Sequence, residues 1–198
     1  MGTLLAIDKD GVVYMGTDLE RVESGVRLRS EAESNVRIHR LPSGILCGAI
    51  GKIRLAQQMY LHDEWFRLEE GERFDRRFLI EKIVPRFYEA LCGIGGVEHD
   101  SKHRCDSVDA GFIFAKDGEI FVVFGDLSVV KCKGLAALSG DSADTLMYAY
   151  ARGSCEGDPE ALIRKSFAYV AGKRGTVSEC GCIINTRDLT FEKTEDVQ

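Results

Sequence analysis

The sequence predicts an α+β protein built as a four-layer αββα sandwich, with two antiparallel sheets between helix pairs. Three observations carry this. Short apolar runs come in twos around turn pairs such as Asp10-Gly11 and Lys116-Asp117-Gly118, so the strands are antiparallel hairpins. Helical periodicity then takes over for two consecutive segments, twice in the chain. The resulting order is ββ-ββ, αα, ββ-ββ, αα, ββ. A sheet with one face on a second sheet and the other under helices is the compact solution for that order.

The first strand begins almost at the first residue. Leu4 to Ile7 is apolar, Asp10-Gly11 tolerates positive φ, and Val12 to Met15 returns. So early a strand is expected to be central. Residues 17–25 are polar and lack periodicity, which reads as a loop, and 26–35 read as an irregular extended segment. Residues 36–41 alternate apolar and basic, Pro42-Ser43-Gly44 turns, and 45–51 form the fourth strand.

From Ile53 the period becomes helical, with Leu55, Met59, His62 and Phe66 on one face up to about residue 68. Asp75 caps a second helix carrying Phe78, Ile83, Phe87 and Leu91 inward and ending at Gly93. Pro85 within it predicts a kink or a late start. Residues 93–108 read as a loop. Strands follow at 109–115, 119–124, 129–132 and 134–138. Helices follow from Ser139 to about Arg152 and from Asp158-Pro159-Glu160, the latter a helix start with Ile163, Phe167, Val170 and Ala171 as its buried stripe. A last hairpin covers 180–185 and 189–192. The acidic end, 193–198, is expected to fray. One domain, 1–198, accounts for the length.

Composition narrows the function classes. Apolar residues are 44% and charged residues 29% of the chain, as in soluble globular proteins. A net charge of −6 argues against nucleic acid and against an anionic membrane as partner. No apolar run reaches the roughly 18 residues of a membrane span. The start lacks a basic-then-apolar export signal, and the seven cysteines are irregularly spaced, so reduced thiols in a cytoplasm are expected. Glu98, His99, Asp100, His103 and Cys105 include metal-ligating types. Four ligands from one short loop would crowd, so a solvated loop is the expectation. The charge-rich 67–77 stretch reads as a solvated helix connection or as a contact with a neighbouring subunit.

Four stretches together carry a resemblance. They are Gly2-Thr3-Leu4-Leu5-Ala6-Ile7 with Asp10-Gly11 and Asp18, then 36–41, then Leu46-Cys47-Gly48 before a helix, then 135–141 before a helix. In this order they resemble the N-terminal-nucleophile hydrolases, and more narrowly proteasome β subunits and the bacterial proteasome-like peptidase of a two-component ATP-dependent protease. The stretch 68–108 is the least similar. The resemblance implies a terminal threonine whose hydroxyl attacks a peptide carbonyl and whose amine takes the proton. It also implies a lysine held by an aspartate and an oxyanion-binding glycine N–H at the end of the fourth strand. Neither a metal nor a cofactor is implied. The partners implied are further copies of the chain in a ring or dimer, a peptide substrate and an ATP-dependent unfoldase.

Carried onto this sequence, the pattern is altered. Asp18 stands sixteen residues after Gly2, so Gly2 falls at the nucleophile's place and Thr3 one residue later. Arg37 takes the lysine's place, and a guanidinium holds its proton too firmly to act as a base. Gly48 fits the oxyanion glycine, and Ser139 or, with a one-residue shift, Gly140 falls at the place of a downstream serine. Val177 and Cys180 stand where the family has Asp and Ser. The expectation is therefore a degenerate member acting through self-assembly or as a scaffold. The alternative is an active threonine peptidase with Thr3 exposed after loss of Met1 and Gly2, completed by Asp18, Arg37, Gly48 and Ser139. A cysteine nucleophile, Cys47 or Cys180, and a small-molecule amide hydrolase are weaker readings.

Overall fold

The computed structural model describes residues 2–18, 20–23, 26–29, 37–100, 105–138, 157–173 and 180–187. The chain opens with β1 (Leu4–Lys9) and β2 (Val12–Asp18) around Asp10 and Gly11, both at positive φ, 53° and 80°. A small ribbon, β3 (Glu20–Glu23) with β4 (Val26–Arg29), precedes β5 (Ile38–Leu41) and β6 (Ile45–Gly51). Helix α1 (Ile53–Leu61), a 3-10 turn (Asp63–Phe66), α2 (Arg76–Phe78) and α3 (Val84–Gly93) come next. A second ribbon pairs β7 (Glu98–Asp100) with β8 (Cys105–Ser107). Then follow β9 (Ala110–Lys116), β10 (Glu119–Val123), β11 (Val129–Cys132), β12 (Leu135–Leu138), α4 (Pro159–Lys173) and β13 (Cys180–Asn185).

Two antiparallel sheets form the body. One runs β12-β1-β2-β13 and the other β11-β10-β9-β6-β5. Strand β1 is thus internal, as its position in the sequence predicts. Both its faces are covered: Leu4 and Ala6 enter the layer between the sheets, while Leu5 and Ile7 meet Ile163, Phe167 and Val170 of α4. That is why Leu4 to Ile7 reads as a continuous apolar run rather than an alternating one. The inter-sheet layer also holds Met15, Ile38, Leu46, Ile113 and Val122. The outer face of the five-stranded sheet buries Phe112, Phe114 and Phe121 against Phe66, Phe78, Phe87 and Leu91. Each of these buried Phe side chains contributes about 1.5–3 kcal/mol through apolar burial. Helix, sheet, sheet, helix is the expected four-layer α+β sandwich.

Several local expectations change. Thr17 and Asp18 do not leave the sheet; they complete β2, opposite Leu4 and Cys180 respectively, and the polar stretch after them pairs as a ribbon. The 93–108 loop likewise contains the β7–β8 ribbon. Helix α1 stops at Leu61, and His62 stacks on Trp65 at the surface instead of facing inward (ring centroids 4.5 Å apart, planes 1° apart). Asp75 caps as predicted, its Oδ1 accepting from Phe78 N–H at 2.8 Å. Ahead of Pro85 a π turn spans Leu79–Ile83, and Val84 N–H bonds back five residues to Leu79 O. The wider turn precedes a residue that has no N–H to give. Strand β13 pairs with β2. The expected helix at 139–152 and strand at 189–192 lie outside the described residues.

Candidate functional site

The start of β1, the end of β2 and the residue before β5 meet at one corner of the sandwich. The pairing of Leu4 with Thr17 sets Thr3 opposite Asp18. Thr3 N–H donates to Asp18 Oδ1 at 3.0 Å, and Arg37 Nη1 donates to the same oxygen. The Asp18 side chain is fully buried and that of Arg37 is 12% exposed. Burial pushes the Asp18 carboxyl above its ordinary range; the Arg37 guanidinium and the Thr3 N–H pull it partly back. Thr3 is itself fully buried.

Gly2 is the unexpected element. A Cβ built on it would fall inside the Arg37 guanidinium, 2.7 Å from Nη2 and closer still to Cζ and Nη1. The guanidinium therefore occupies the space that any side chain at position 2 needs. With no hydroxyl on Gly2 and a guanidinium beside it, neither of those two positions supplies a nucleophile or a base.

Arg37 is fixed from behind. Its carbonyl accepts from Ala49 N–H at 2.8 Å and from the Tyr60 hydroxyl at 3.3 Å. Tyr60 lies on α1, and its ring stacks on His39 of β5 with centroids 3.7 Å apart. Sequence reasoning missed Tyr60, because an aromatic residue in an amphipathic helix has no local mark separating a support from a core residue.

The other predicted site residues are distributed as follows. Gly48 sits inside β6, opposite Ile38 and Ile113, and a Cβ there would meet Met15 Sδ at 2.6 Å and Leu4 Cδ1 at 3.0 Å. Strand β6 ends three residues later, at Gly51, whose φ is 94°. Ser139 and Val177 lie outside the described residues. Cys47 is buried, and burial holds its thiol well above the usual range. Cys180 is pushed up to about 11, again by burial. Both stay protonated near neutrality and make poor nucleophiles. His99 Nδ1 bonds Asp106 Oδ1 at 2.6 Å, and Tyr88 donates its hydroxyl to the other oxygen of that carboxylate. Among the described residues no three His, Cys, Asp or Glu side chains are grouped as metal ligands.

The described elements form an α+β sandwich with a proteasome-like fold. Among solved structures the chain is similar to BPH of Thiobacillus denitrificans, with a TM-score of 0.70 at 18% identity over 92% of this chain and 95% of that one. The same BPH in complex with epoxomicin gives 0.68 at 17% over 92% and 96%. HslV of Trypanosoma brucei gives 0.62 at 15% over 92% and 97%. No protein-family model and no curated protein matches the sequence. The likeness establishes a proteasome β-subunit-like fold spanning nearly the whole chain. Among the described residues no helix is long and apolar enough to cross a membrane.

Proposed function

We propose that the chain is a non-catalytic protein of the proteasome-like fold that acts through assembly, as a ring or dimer subunit or a scaffold. The observation that supports this most is the Arg37 guanidinium in the space of a Gly2 side chain. The place where relatives of this fold carry a nucleophile is filled by a group of another residue, and that group is ion-paired to a buried carboxylate. Fold does not carry activity with it; the site does. Self-assembly is the use of this fold that requires no chemistry at that corner. A cytoplasmic location and an unfoldase partner fit this reading.

The test has two parts. Light scattering of the purified chain should give a mass of two or more copies, and fluorogenic peptides of basic, acidic and apolar character should remain uncut. A strict monomer would refute assembly, and turnover of any of the peptides would refute the non-catalytic reading.

A second reading rests on one contact. Thr3 N already lies 3.0 Å from Asp18 Oδ1. If Met1 and Gly2 were removed, that nitrogen would become the terminal amine, with Asp18 and Arg37 beside it and Gly48 and Ser139 as the remaining candidates. The substrate would then be a peptide, and the intact mass would begin at Thr3.

A further inference from the structure

We propose that Tyr60 is the positioning residue that keeps Arg37 over Gly2, so that the closure of the corner depends on a hydroxyl from α1. The proposal rests on the reading that Arg37 closes the site. Arg37 immediately precedes β5, which is an outer strand of the five-stranded sheet. The end of an outer strand is where a backbone is held least, since a neighbour pairs it on one side only. Yet the guanidinium bonds the buried Asp18 and stands over Gly2.

Two donors converge on the Arg37 carbonyl. Ala49 N–H extends the β5–β6 pairing by one residue, and the Tyr60 hydroxyl comes from outside the sheet. Burial raises the Tyr60 phenol well above its ordinary range, so the hydroxyl keeps its proton and can donate. The ring is fixed in turn by its stack on His39, two residues along the same strand as Arg37. Helix α1 therefore grips the strand twice, by carbonyl and by ring, directly behind the residue whose side chain fills the site. Neither contact touches Gly2, Thr3 or Asp18. Tyr60 acts only through Arg37.

The prediction is read from the chemical accessibility of Arg37. Folded protein is treated with phenylglyoxal, an arginine-directed dicarbonyl, and modification is followed peptide by peptide by mass spectrometry. Arg76, whose Nε is tied to Val129 O at 2.9 Å, serves as a reference distant in the chain. Tyr60→Phe should raise the rate at Arg37 about fivefold, the factor for one neutral hydrogen bond, and leave Arg76 unchanged. An unchanged Arg37 rate in a folded variant would overturn the proposal. An equal rise at both arginines would also overturn it, since that reports general loosening. If Tyr60→Phe does not fold, His39→Gln removes the stack while keeping the hydroxyl and should give the same selective rise; none would refute the proposal. The outcome is separate from the peptidase assay. Cleavage by the wild type would sink the closed site whatever the arginine rates are, while a silent wild type without the selective rise would sink only the part given to Tyr60.

Discussion

Two corners of the sandwich are each built around a glycine that something presses against, and the two glycines are needed for different reasons. At the far end, the β1–β2 and β9–β10 turns touch: a Cβ on Gly118 would lie 3.0 Å from Gly11 Cα. Both glycines there also have positive φ, 77° and 80°, so the backbone itself excludes most residues. At the near end, what presses on Gly2 is the Arg37 guanidinium, the far end of a side chain. One glycine answers to its own backbone, and the other answers to a side chain thirty-five residues away. The first is fixed by the fold, whereas the second can be released by changing its neighbour.

The largest effect should come from breaking the near corner at its ion pair. Arg37→Ala leaves the fully buried Asp18 carboxylate without its cation, at a cost of about 3–5 kcal/mol. Chemical denaturation at neutral pH should show this as a lowered midpoint with an unchanged slope. At the far corner, Gly118→Ala imposes both positive φ and a tight contact, for about 1–3 kcal/mol. Gly11→Ala, with open space at its own Cβ, should cost less. That difference tests whether contact adds to strain.

Gly2→Ala should cost about 1–3 kcal/mol by overpacking against the guanidinium. In the Arg37→Ala background most of that cost should vanish, a coupling within the 0.5–3 kcal/mol typical of contacting residues. No substitution elsewhere should relieve Gly118→Ala in the same way. Additive effects of Gly2→Ala and Arg37→Ala would mean that the two do not share one space.

The smallest effect concerns pH. The Asp18 carboxyl has a raised pKa in the folded state, so the folded protein holds that proton more tightly than the unfolded chain. Its contribution to stability is full below the unfolded value of about 3.9 and is lost as pH rises through the folded value. Asp106 and Glu72 behave oppositely. Hydrogen bonds from Tyr88 to Asp106 and from Lys82 to Glu72 lower their pKa values, and their contributions are lost as pH falls. Asp18 therefore offsets part of the acid loss. In Asp18→Asn the fall of stability from neutral pH toward pH 4 should be steeper than in the wild type. A slope that is unchanged or shallower would contradict the raised pKa.

The same contrast explains what could be read from the sequence. Asp10-Gly11 and Asp117-Gly118 announce their turns because the backbone conformation and the residue type are one local fact. Asp75 before Phe78 and Asp158 before Pro159 mark helix starts for the same reason. The unbroken apolar run of β1 shows a strand covered on both faces. The ribbons β3–β4 and β7–β8 stayed hidden because Glu20 to Glu23 and Glu98 to Asp100 lack the apolar alternation that a half-buried strand shows. At the site, counting from Asp18 brings Gly2 into view, and the alternation of 36–41 brings in Arg37. What no count reveals is that one residue fills the other's space, or that Tyr60 and Ala49 hold Arg37 from behind. Those are contacts across 12 to 35 positions of chain, made by strand pairing, by the docking of α1 and by the stacking of the two sheets, none of which a local pattern records.

The central claim is that the near corner carries no working nucleophile. Its most direct test is the intact mass of the purified protein before and after incubation with an excess of epoxomicin, the compound held by the similar BPH structure. A single unchanged mass, of a chain that still includes Gly2, is the expected result. A chain beginning at Thr3 that gains one inhibitor per copy would contradict it.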